Sequence, residues 1–162
     1  MKTTPENFSK TQIYLHWLVV ALVTFQFVLS KGIEAIWEKR MDGLVPNEPS
    51  ANPHVIIGAV ILTLVLWRLW LRFNHGVPAL PQSEKPLIGL IAKATHWLFY
   101  ILLIGMPLSG AGAWVLGIEQ PAFTHGLASK SLLALIALHA AAALYHHFIL
   151  KTNVFRRMLG IK

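Results

Sequence analysis

The sequence contains no cysteine. This absence excludes disulfide bonds, thiolate metal sites, iron–sulfur clusters and haem attached through thioethers, because each of these needs a cysteine sulfur. Any metal in the protein must therefore be bound by histidine, carboxylate or methionine side chains.

Charged residues are also scarce. Only 13% of the 162 residues are charged and 55% are hydrophobic, whereas about 25% of the residues in a typical soluble domain are charged. This balance predicts a membrane protein, and the length predicts a single domain over residues 1–162. We interpret the formal charge of +7 as a determinant of membrane topology, so no nucleic-acid partner is expected.

Four hydrophobic segments are long enough to cross a bilayer as helices. The predicted fold class is therefore all-α, an integral membrane four-helix bundle. The N-terminal residues do not resemble a signal peptide, so the first segment is expected to be retained. The segments between the spans contain proline, glycine or charged residues. The predicted spans are 12–30, 53–73, 93–116 and 125–150.

The basic residues are unequally distributed about these spans. Ten lie on the side that holds both termini and the 74–93 connection, and four lie on the other side. The excess predicts that both termini are cytoplasmic. The 31–52 connection on the outer side also holds Glu34, Glu38, Asp42 and Glu48. The ten are Lys2, Lys10, Arg68, Arg72, Lys85, Lys93, Lys151, Arg156, Arg157 and Lys162; the four are Lys31, Lys39, Arg40 and Lys130.

The fourth span is unusual because the apolar stretch 124–151 holds four of the eight histidines. His125 and His139 share one helix face but lie about 21 Å apart along the axis, so they cannot bind the same ion. Each needs a partner at its own depth, and the first two spans place His16 on the inner side and His54 on the outer side. The pairs His16/His139 and His54/His125 are the arrangement that two b-type haems require in a bundle interior.

Three basic residues are candidates for binding haem propionates. Arg68 lies on the same face as His54 at the depth of the inner pair, and Arg72 follows one turn later. Charged residues inside a span are costly and are usually paired or functional, although both arginines could instead extend to the cytoplasmic headgroups. Lys130 is the corresponding candidate for the outer haem.

The remaining histidines are candidates for other roles. His96, His146 and His147 lie near the cytoplasmic ends of their helices, where an imidazole could bind a quinone carbonyl and relay its proton. The alternative is that they are ordinary interfacial histidines, and His96 could also replace His16 as a haem ligand. His75 is expected to be solvated. Any intramembrane histidine taken singly could instead be a hydrogen-bonded structural residue.

Several stretches resemble the bacterial cytochrome b561 family, and the resemblance covers almost the whole chain. They are "HWL", "PHVIIGAVILTLVLWRLWLRF", "THWLFYILLIGMPLSG" and "LHAAAALYHHFILKTNVFRRM". The resemblance implies a four-helix bundle in the bacterial inner membrane with two non-covalent haems b. It implies haem ligands at His16, His54, His125 and His139. The 117–124 segment is shorter than the family's usual loop, so the outer substrate stays open.

The resemblance also implies a function. Family members transfer electrons between the periplasmic face and the ubiquinone pool, and in one branch, superoxide oxidase, periplasmic superoxide is the donor. Two histidines on each iron leave no open position, which favours outer-sphere electron transfer. Lys130, with Lys31, Lys39 or Arg40, could form a positive approach for superoxide. If the protein is an enzyme, it is expected to be an oxidoreductase of the superoxide:ubiquinone type, and no catalytic residue is assigned.

Two alternatives remain open at this point. The protein could be the haem-b membrane anchor of a larger dehydrogenase or hydrogenase, with a soluble redox partner and no substrate of its own. It could also be an ion or metal transporter that uses its intramembrane histidines. The transporter alternative predicts broken helices or inverted halves, and the two halves of the sequence show no clear inverted similarity.

Overall fold

The computed structural model describes residues 5, 7–45, 51–79 and 86–161. These residues form helices and no strand, and four of the helices are long and apolar enough to cross a membrane. The predicted all-α membrane fold is therefore confirmed. Lys2, Glu48, Lys85 and Lys162, which entered the prediction of topology, lie outside the described residues. The helices are α1 (Lys10–Met41), α2 (Pro53–His75), α3 (Pro86–Leu116), α4 (Glu119–Phe148) and a short α5 (Val154–Met158).

Local sequence signals fix where α1 and α2 begin. Ser9 and Gln12 form a capping box, in which each side chain accepts a hydrogen bond from the backbone N–H of the other. Asn52 caps α2 by accepting from the backbone N–H of His54, and Pro53 occupies the first helical position, where its missing N–H is not needed. His54 is consequently held in the first turn of α2.

Helix α1 is longer than the predicted span. It continues to Met41, through residues that the hydropathy pattern assigned to the outer connection. Glu34, Glu38 and Lys39 end the hydrophobic segment, but glutamate and lysine are good helix formers. The charges therefore mark the end of the lipid-facing stretch rather than the end of the helix.

The predicted connection over residues 117–124 also has a different structure. Only Gly117 and Ile118 separate α3 from α4, and Gly117 has a φ of 66°, which glycine adopts at little cost. Helix α4 already begins at Glu119. Pro121 is tolerated because the first turn of a helix needs no amide donor, so the segment becomes the start of α4.

The helices pack in chain order, α1 on α2, α2 on α3 and α3 on α4, with α5 against α4. Among the described residues, the backbones of α1 and α4 have little direct contact. Side chains of α1, α2 and α4 still meet in the middle of the bundle. This apolar core consists of Val19, Val23, Ile61, Val65 and Leu132.

The core lies midway between two levels that carry histidines. Leu132 is seven residues from both His125 and His139, and Ile61 is seven residues from His54. Seven residues correspond to about 10 Å along a helix axis. The outward faces of the helices expose large apolar side chains such as Trp70 and Leu138, which lipid would cover.

Candidate functional site

The rings of His54 and His125 face each other near one end of the bundle. Their centroids are 6.0 Å apart, and their planes make an angle of 70°. A metal–imidazole bond is about 2 Å long and the ring nitrogen lies about 1 Å from the ring centre, so two imidazoles on opposite sides of one metal ion have centres about 6 Å apart. This pair, called the His54 layer below, therefore has the spacing for a single metal centre between its rings.

The ring of His125 is oriented by α3. Its Nδ1 lies 2.8 Å from the backbone carbonyl oxygen of Met106. The carbonyl can only accept, so Nδ1 carries the proton and Nε2 is left to bind a metal. A metal-binding histidine commonly donates its second N–H to a carbonyl in this way.

Gly110 provides the space in which the His125 ring lies. A Cβ at this position would lie 2.9 Å from Nδ1 and 3.0 Å from Cε1 of His125. Any larger residue would therefore displace the imidazole from its contact with Met106.

The backbone of His54 is held at both its amide and its carbonyl. Its N–H donates to the Asn52 side chain at 2.9 Å, and its carbonyl oxygen accepts from Nε2 of Gln26 at 2.8 Å. The ring is less constrained, because its buried Nδ1 has no hydrogen-bond partner among the described residues. The Oε1 atom of Gln26 is also buried without a partner there.

A second group of histidines lies on the far side of the apolar core. The ring of His139 is 5.6 Å from that of His96 and 5.2 Å from that of Phe99. His16 is close enough to interact electrostatically with His139 and His96, and its own ring contact is with Trp17. We call His16, His96 and His139 the His139 layer. The structure thus gathers three histidines at this level.

His96 is oriented by its own helix. Its Nδ1 lies 2.6 Å from the carbonyl oxygen of Ala92 in the preceding turn. As with His125, the carbonyl must accept, which leaves Nε2 of His96 available to a ligand. The side chain of His96 is exposed.

Arg68 belongs to the His139 layer as well. It interacts electrostatically with His16, His96 and His139 and is hydrogen-bonded to Tyr100. Its Nη1 is nevertheless buried without a partner among the described residues. A buried guanidinium nitrogen without a partner is costly, so this atom fits an anionic group that binds beside the three histidines.

Arg72 is placed differently, one turn further along α2. Its guanidinium lies over the rings of Trp97 and Tyr100, 5.7 and 6.0 Å from their centroids. These cation–π contacts stabilise the charge near the end of the bundle.

The other candidate histidines lie at the end of α4 and of α2. Nδ1 of His146 is 3.3 Å from the Thr152 hydroxyl. His147 stacks against Phe148 and Phe155. His75 is exposed, as expected, and its ring contacts Trp70. None of these three rings is in a described contact with the His139 layer.

Arg40 does not contribute a surface charge, which corrects one expectation. Its side chain is only 5% exposed, and it donates to the Trp114 carbonyl oxygen at 2.6 Å between the rings of Trp37 and Trp114. The hydropathy pattern ended the span before Arg40, so it gave no sign that α1 carries this residue onto the end of α3. The side chains of Lys31, Lys39 and Lys130 are exposed, as a positive approach requires.

Acidic residues surround the cavity at this end of the bundle. The cavity has a volume of about 520 Å³ and lies between the end of α1 and the start of α4. Glu38, Asp42 and Glu119 contribute to its wall, together with Trp37 and Phe123. The local charge is therefore mixed rather than uniformly positive.

The histidine pairs suit a haem better than a bare metal ion. Among the described residues, no group of three or more histidine, aspartate or glutamate side chains could hold a metal ion. A haem supplies four equatorial nitrogens itself and needs only axial ligands. The paired rings of the His54 layer and the partnerless Nη1 of Arg68 fit the axial positions and the anionic edge of such a group.

Sequence reasoning did not find three residues that shape these sites. Gln26 was detectable as a lone carboxamide inside a hydrophobic span, which usually marks an interaction. Gly110 stands between Ser109 and Ala111, where a small residue is unremarkable. Met106 acts through its backbone carbonyl, which carries no signal in the sequence.

Comparison with known proteins identifies the family. Residues 7–160 match the family described as prokaryotic cytochrome b561. The chain is 30% identical to cytochrome b562 of Cereibacter sphaeroides, over 97% of this chain and 98% of that protein. It is 30% identical to a probable superoxide oxidase CybB of Yersinia pestis, with the same coverage, and 29% identical to cytochrome b561 homolog 1 of Escherichia coli, over 94% of this chain and 97% of that protein.

These matches cover nearly the full length of the chain and of its relatives, and the histidine pairs fit the cofactor that the family name implies. The chain therefore belongs to the prokaryotic cytochrome b561 family, and it is a bacterial membrane protein of haem-b electron transfer.

Proposed function

We propose that the protein holds two b haems, one in each histidine layer, and transfers electrons between a one-electron donor at the periplasmic face of the inner membrane and ubiquinone near the cytoplasmic face. The observation that carries this proposal is the His54–His125 pair, with ring centroids 6.0 Å apart and with Nδ1 of His125 held by Met106. The family supports haem b as the occupant.

The axial ligands follow from the layers. His54 and His125 bind one iron. In the other layer His139 has two candidate partners, and the helix packing favours His16. Helices α3 and α4 pack directly, and packed helices lie about 8–10 Å apart, which leaves little room for a macrocycle between His96 and His139. Helices α1 and α4 have little direct contact, so His16 and His139 can lie on opposite faces of a planar group.

Each bound haem supplies a one-electron redox centre. The protein contributes the separation and the dryness of the two sites. The core residues Val65 and Leu132 are 1% and 2% exposed and exclude water between the layers. Imidazoles on both faces of each iron leave no open coordination position, so the ligand set favours outer-sphere electron transfer over oxygen binding.

Arg68 is the proposed partner of a propionate in the His139 layer. A carboxylate would satisfy its buried Nη1 and balance its charge. The role of Arg72 is expected to be smaller, because its guanidinium is already stabilised over Trp97 and Tyr100. Lys130 stays the candidate for a propionate of the haem in the His54 layer.

His96 is the strongest quinone candidate. Its ring contacts that of His139, and its Nε2 is free to accept from a quinol hydroxyl or, once protonated, to donate to a quinone carbonyl. His146 and His147 remain candidates with less support, because their rings contact Thr152 and Phe155 respectively.

The proposed orientation places both termini in the cytoplasm, so the His54 layer faces the periplasm. Superoxide is a candidate donor because the relative from Yersinia pestis is named a probable superoxide oxidase. The exposed Lys130 would attract this anion, while Glu38, Asp42 and Glu119 around the nearby cavity would oppose it. The donor is therefore tested separately from the haem sites.

The test starts with the protein purified in detergent, a reduced-minus-oxidised spectrum and the ratio of haem to protein. The expected result is a sharp low-spin b-type signal and about two haems per chain, as two bis-histidine pairs predict. Superoxide and quinols are then added as reductants of that signal. A folded preparation without haem would overturn the proposal. A soluble dehydrogenase or hydrogenase subunit that copurifies, together with no reduction by superoxide, would favour the membrane-anchor alternative.

A further inference from the structure

Gln26 is a polar residue in the hydrophobic part of α1, between Phe25 and Phe27. Its Nε2 donates to the carbonyl oxygen of His54 across the α1–α2 interface at 2.8 Å. A carboxamide within a membrane span costs free energy unless its polar atoms are satisfied. The donor of Gln26 is satisfied, but its buried acceptor, Oε1, has no partner among the described residues.

The residue that Gln26 contacts has the complementary deficiency. Nδ1 of His54 is also buried without a partner among the described residues. When Nε2 binds iron, Nδ1 of a neutral imidazole carries the proton and becomes a donor. A buried donor and a buried acceptor without partners thus lie on two residues that are already hydrogen-bonded to each other.

The two histidines of the His54 layer differ in this respect. His125 donates its Nδ1–H to the carbonyl oxygen of Met106, which fixes the plane of its ring. The described residues give His54 no such acceptor, although iron-binding histidines almost always have one. Gln26 is the residue beside His54 with a spare acceptor.

We propose that Gln26 is the positioning residue of His54, with Oε1 accepting the Nδ1–H of His54 while Nε2 stays on the His54 carbonyl oxygen. This inference rests on the proposed role of His54 as a haem ligand. The amide already lies at His54, so only a rotation of side-chain torsions is needed, and the last torsion of glutamine has a broad energy minimum. Gly58, one turn beyond His54, leaves this movement open, since even a Cβ there would lie 3.5 Å from Nε2 of Gln26.

The hydrogen bond has a defined chemical effect. An acceptor on Nδ1–H makes the imidazole a stronger electron donor to the metal. It therefore stabilises ferric iron, holds the ring in the orientation for binding and lowers the reduction potential of that haem. Gln26 would affect the haem of the His54 layer and not that of the His139 layer.

Two substitutions separate this role from a purely structural one. Gln26→Leu removes both the donor and the acceptor and suits a lipid span. Gln26→Glu keeps an acceptor for Nδ1–H, and its ionised form loses the donor to the His54 carbonyl. Thr24→Val is the matched control, because Thr24 is exposed on the same helix and donates only to the Val20 carbonyl of its own helix.

The measurements are haem retention, a redox titration of each haem and the low-spin electron paramagnetic resonance spectrum of the oxidised protein. The variants His54→Ala and His139→Ala, each with one haem, assign the two signals. We expect Gln26→Leu to weaken binding of the His54-layer haem by about 10- to 100-fold, to raise its potential and to change its spectrum. Gln26→Glu is expected to retain that haem at an unchanged or lower potential, and Thr24→Val to resemble the unsubstituted protein.

The inference is overturned if Gln26→Leu leaves both potentials and spectra unchanged, or if Gln26→Glu behaves like Gln26→Leu, since the donor to the His54 carbonyl would then be the only function of Gln26. The proposed function fails by a different result, namely an unsubstituted protein without haem, or a His54→Ala variant that keeps both haems. A protein with two haems that is insensitive to Gln26 refutes this inference alone.

Discussion

The two histidine layers lie at equal distances from the same apolar core but differ in their surroundings. The His54 layer consists of two facing rings, and backbone groups hold His125 on one side and the first turn of α2 on the other. The His139 layer holds three histidines and a buried arginine, with Phe99 against the ring of His139. One end of the bundle is thus limited to holding a cofactor, while the other has further groups that can exchange protons.

The cationic residues at the two ends follow the same division. Arg40 is tied to the Trp114 carbonyl and serves to join α1 to α3, whereas Arg68 in the His139 layer has a buried nitrogen without a partner in the described residues. A spare histidine and a spare guanidinium nitrogen suit a quinone and a propionate. The comparison therefore predicts simple electron exchange at the His54 layer and proton-coupled chemistry at the His139 layer.

Removing one ligand from each layer should have the largest effect. We expect His125→Ala and His139→Ala each to lose one of the two haems and to retain the other, because the layers are about 21 Å apart and share no ligand. The pyridine haemochrome assay, normalised to protein, measures the loss. If either substitution releases both haems from a folded protein, the layers are not independent.

The same experiment on His16 and His96 sharpens the comparison within the second layer. His16→Ala should lose the haem of this layer, while His96→Ala should keep it and impair reduction by quinol. The reverse result would make His96 the axial ligand and would overturn the choice based on helix spacing.

Gly110→Ala should damage the His54 layer selectively. The added Cβ would lie 2.9 Å from Nδ1 of His125 and would break its contact with Met106. We expect haem binding in this layer to weaken by about 10- to 100-fold, as measured by haem transfer to apomyoglobin. Gly105→Ala is the control on the same helix, because a Cβ there meets nothing within 4 Å. Equal effects of the two substitutions would indicate a general response of α3.

Arg68→Gln should lower the reduction potential of the haem in the His139 layer. Loss of a nearby positive charge stabilises the ferric form, and we expect a shift of roughly 59 mV, which is a tenfold change in a one-electron equilibrium. A spectroscopic redox titration resolves the two haems. Arg72→Gln should have a smaller effect because Arg72 lies over aromatic rings. A larger shift for Arg72→Gln would transfer the propionate role to that residue.

Lys130→Gln should have the smallest effect. One exposed charge attracts an anion only weakly in salt, so superoxide-driven haem reduction should slow by roughly two- to threefold at low ionic strength and less at high ionic strength. Stopped-flow reduction measures the rate. Lys93→Gln, an exposed charge near the start of α3, is the control. An unchanged rate at low salt would remove Lys130 from the proposed donor approach.

Much of the fold was predictable because hydropathy and length decide whether a segment can cross a bilayer. The same pattern missed the extension of α1 to Met41 and the start of α4 at Glu119. A change in polarity marks the membrane boundary, while a helix continues wherever its residues tolerate it. Arg40 illustrates the cost of this confusion, since it looked like a surface charge and is buried against Trp114.

The sequence alone determined that histidines must act at two depths, because the helical rise converts a spacing of 14 residues into a distance that no single ion can bridge. Only the tertiary structure decided what surrounds them. The acceptor for His125 is a backbone carbonyl, its space comes from Gly110, and the choice between His16 and His96 depends on how closely the helices pack. Periodicity fixes the height and face of a residue on its own helix, but the rotation and spacing of neighbouring helices follow from the packing of all their side chains together.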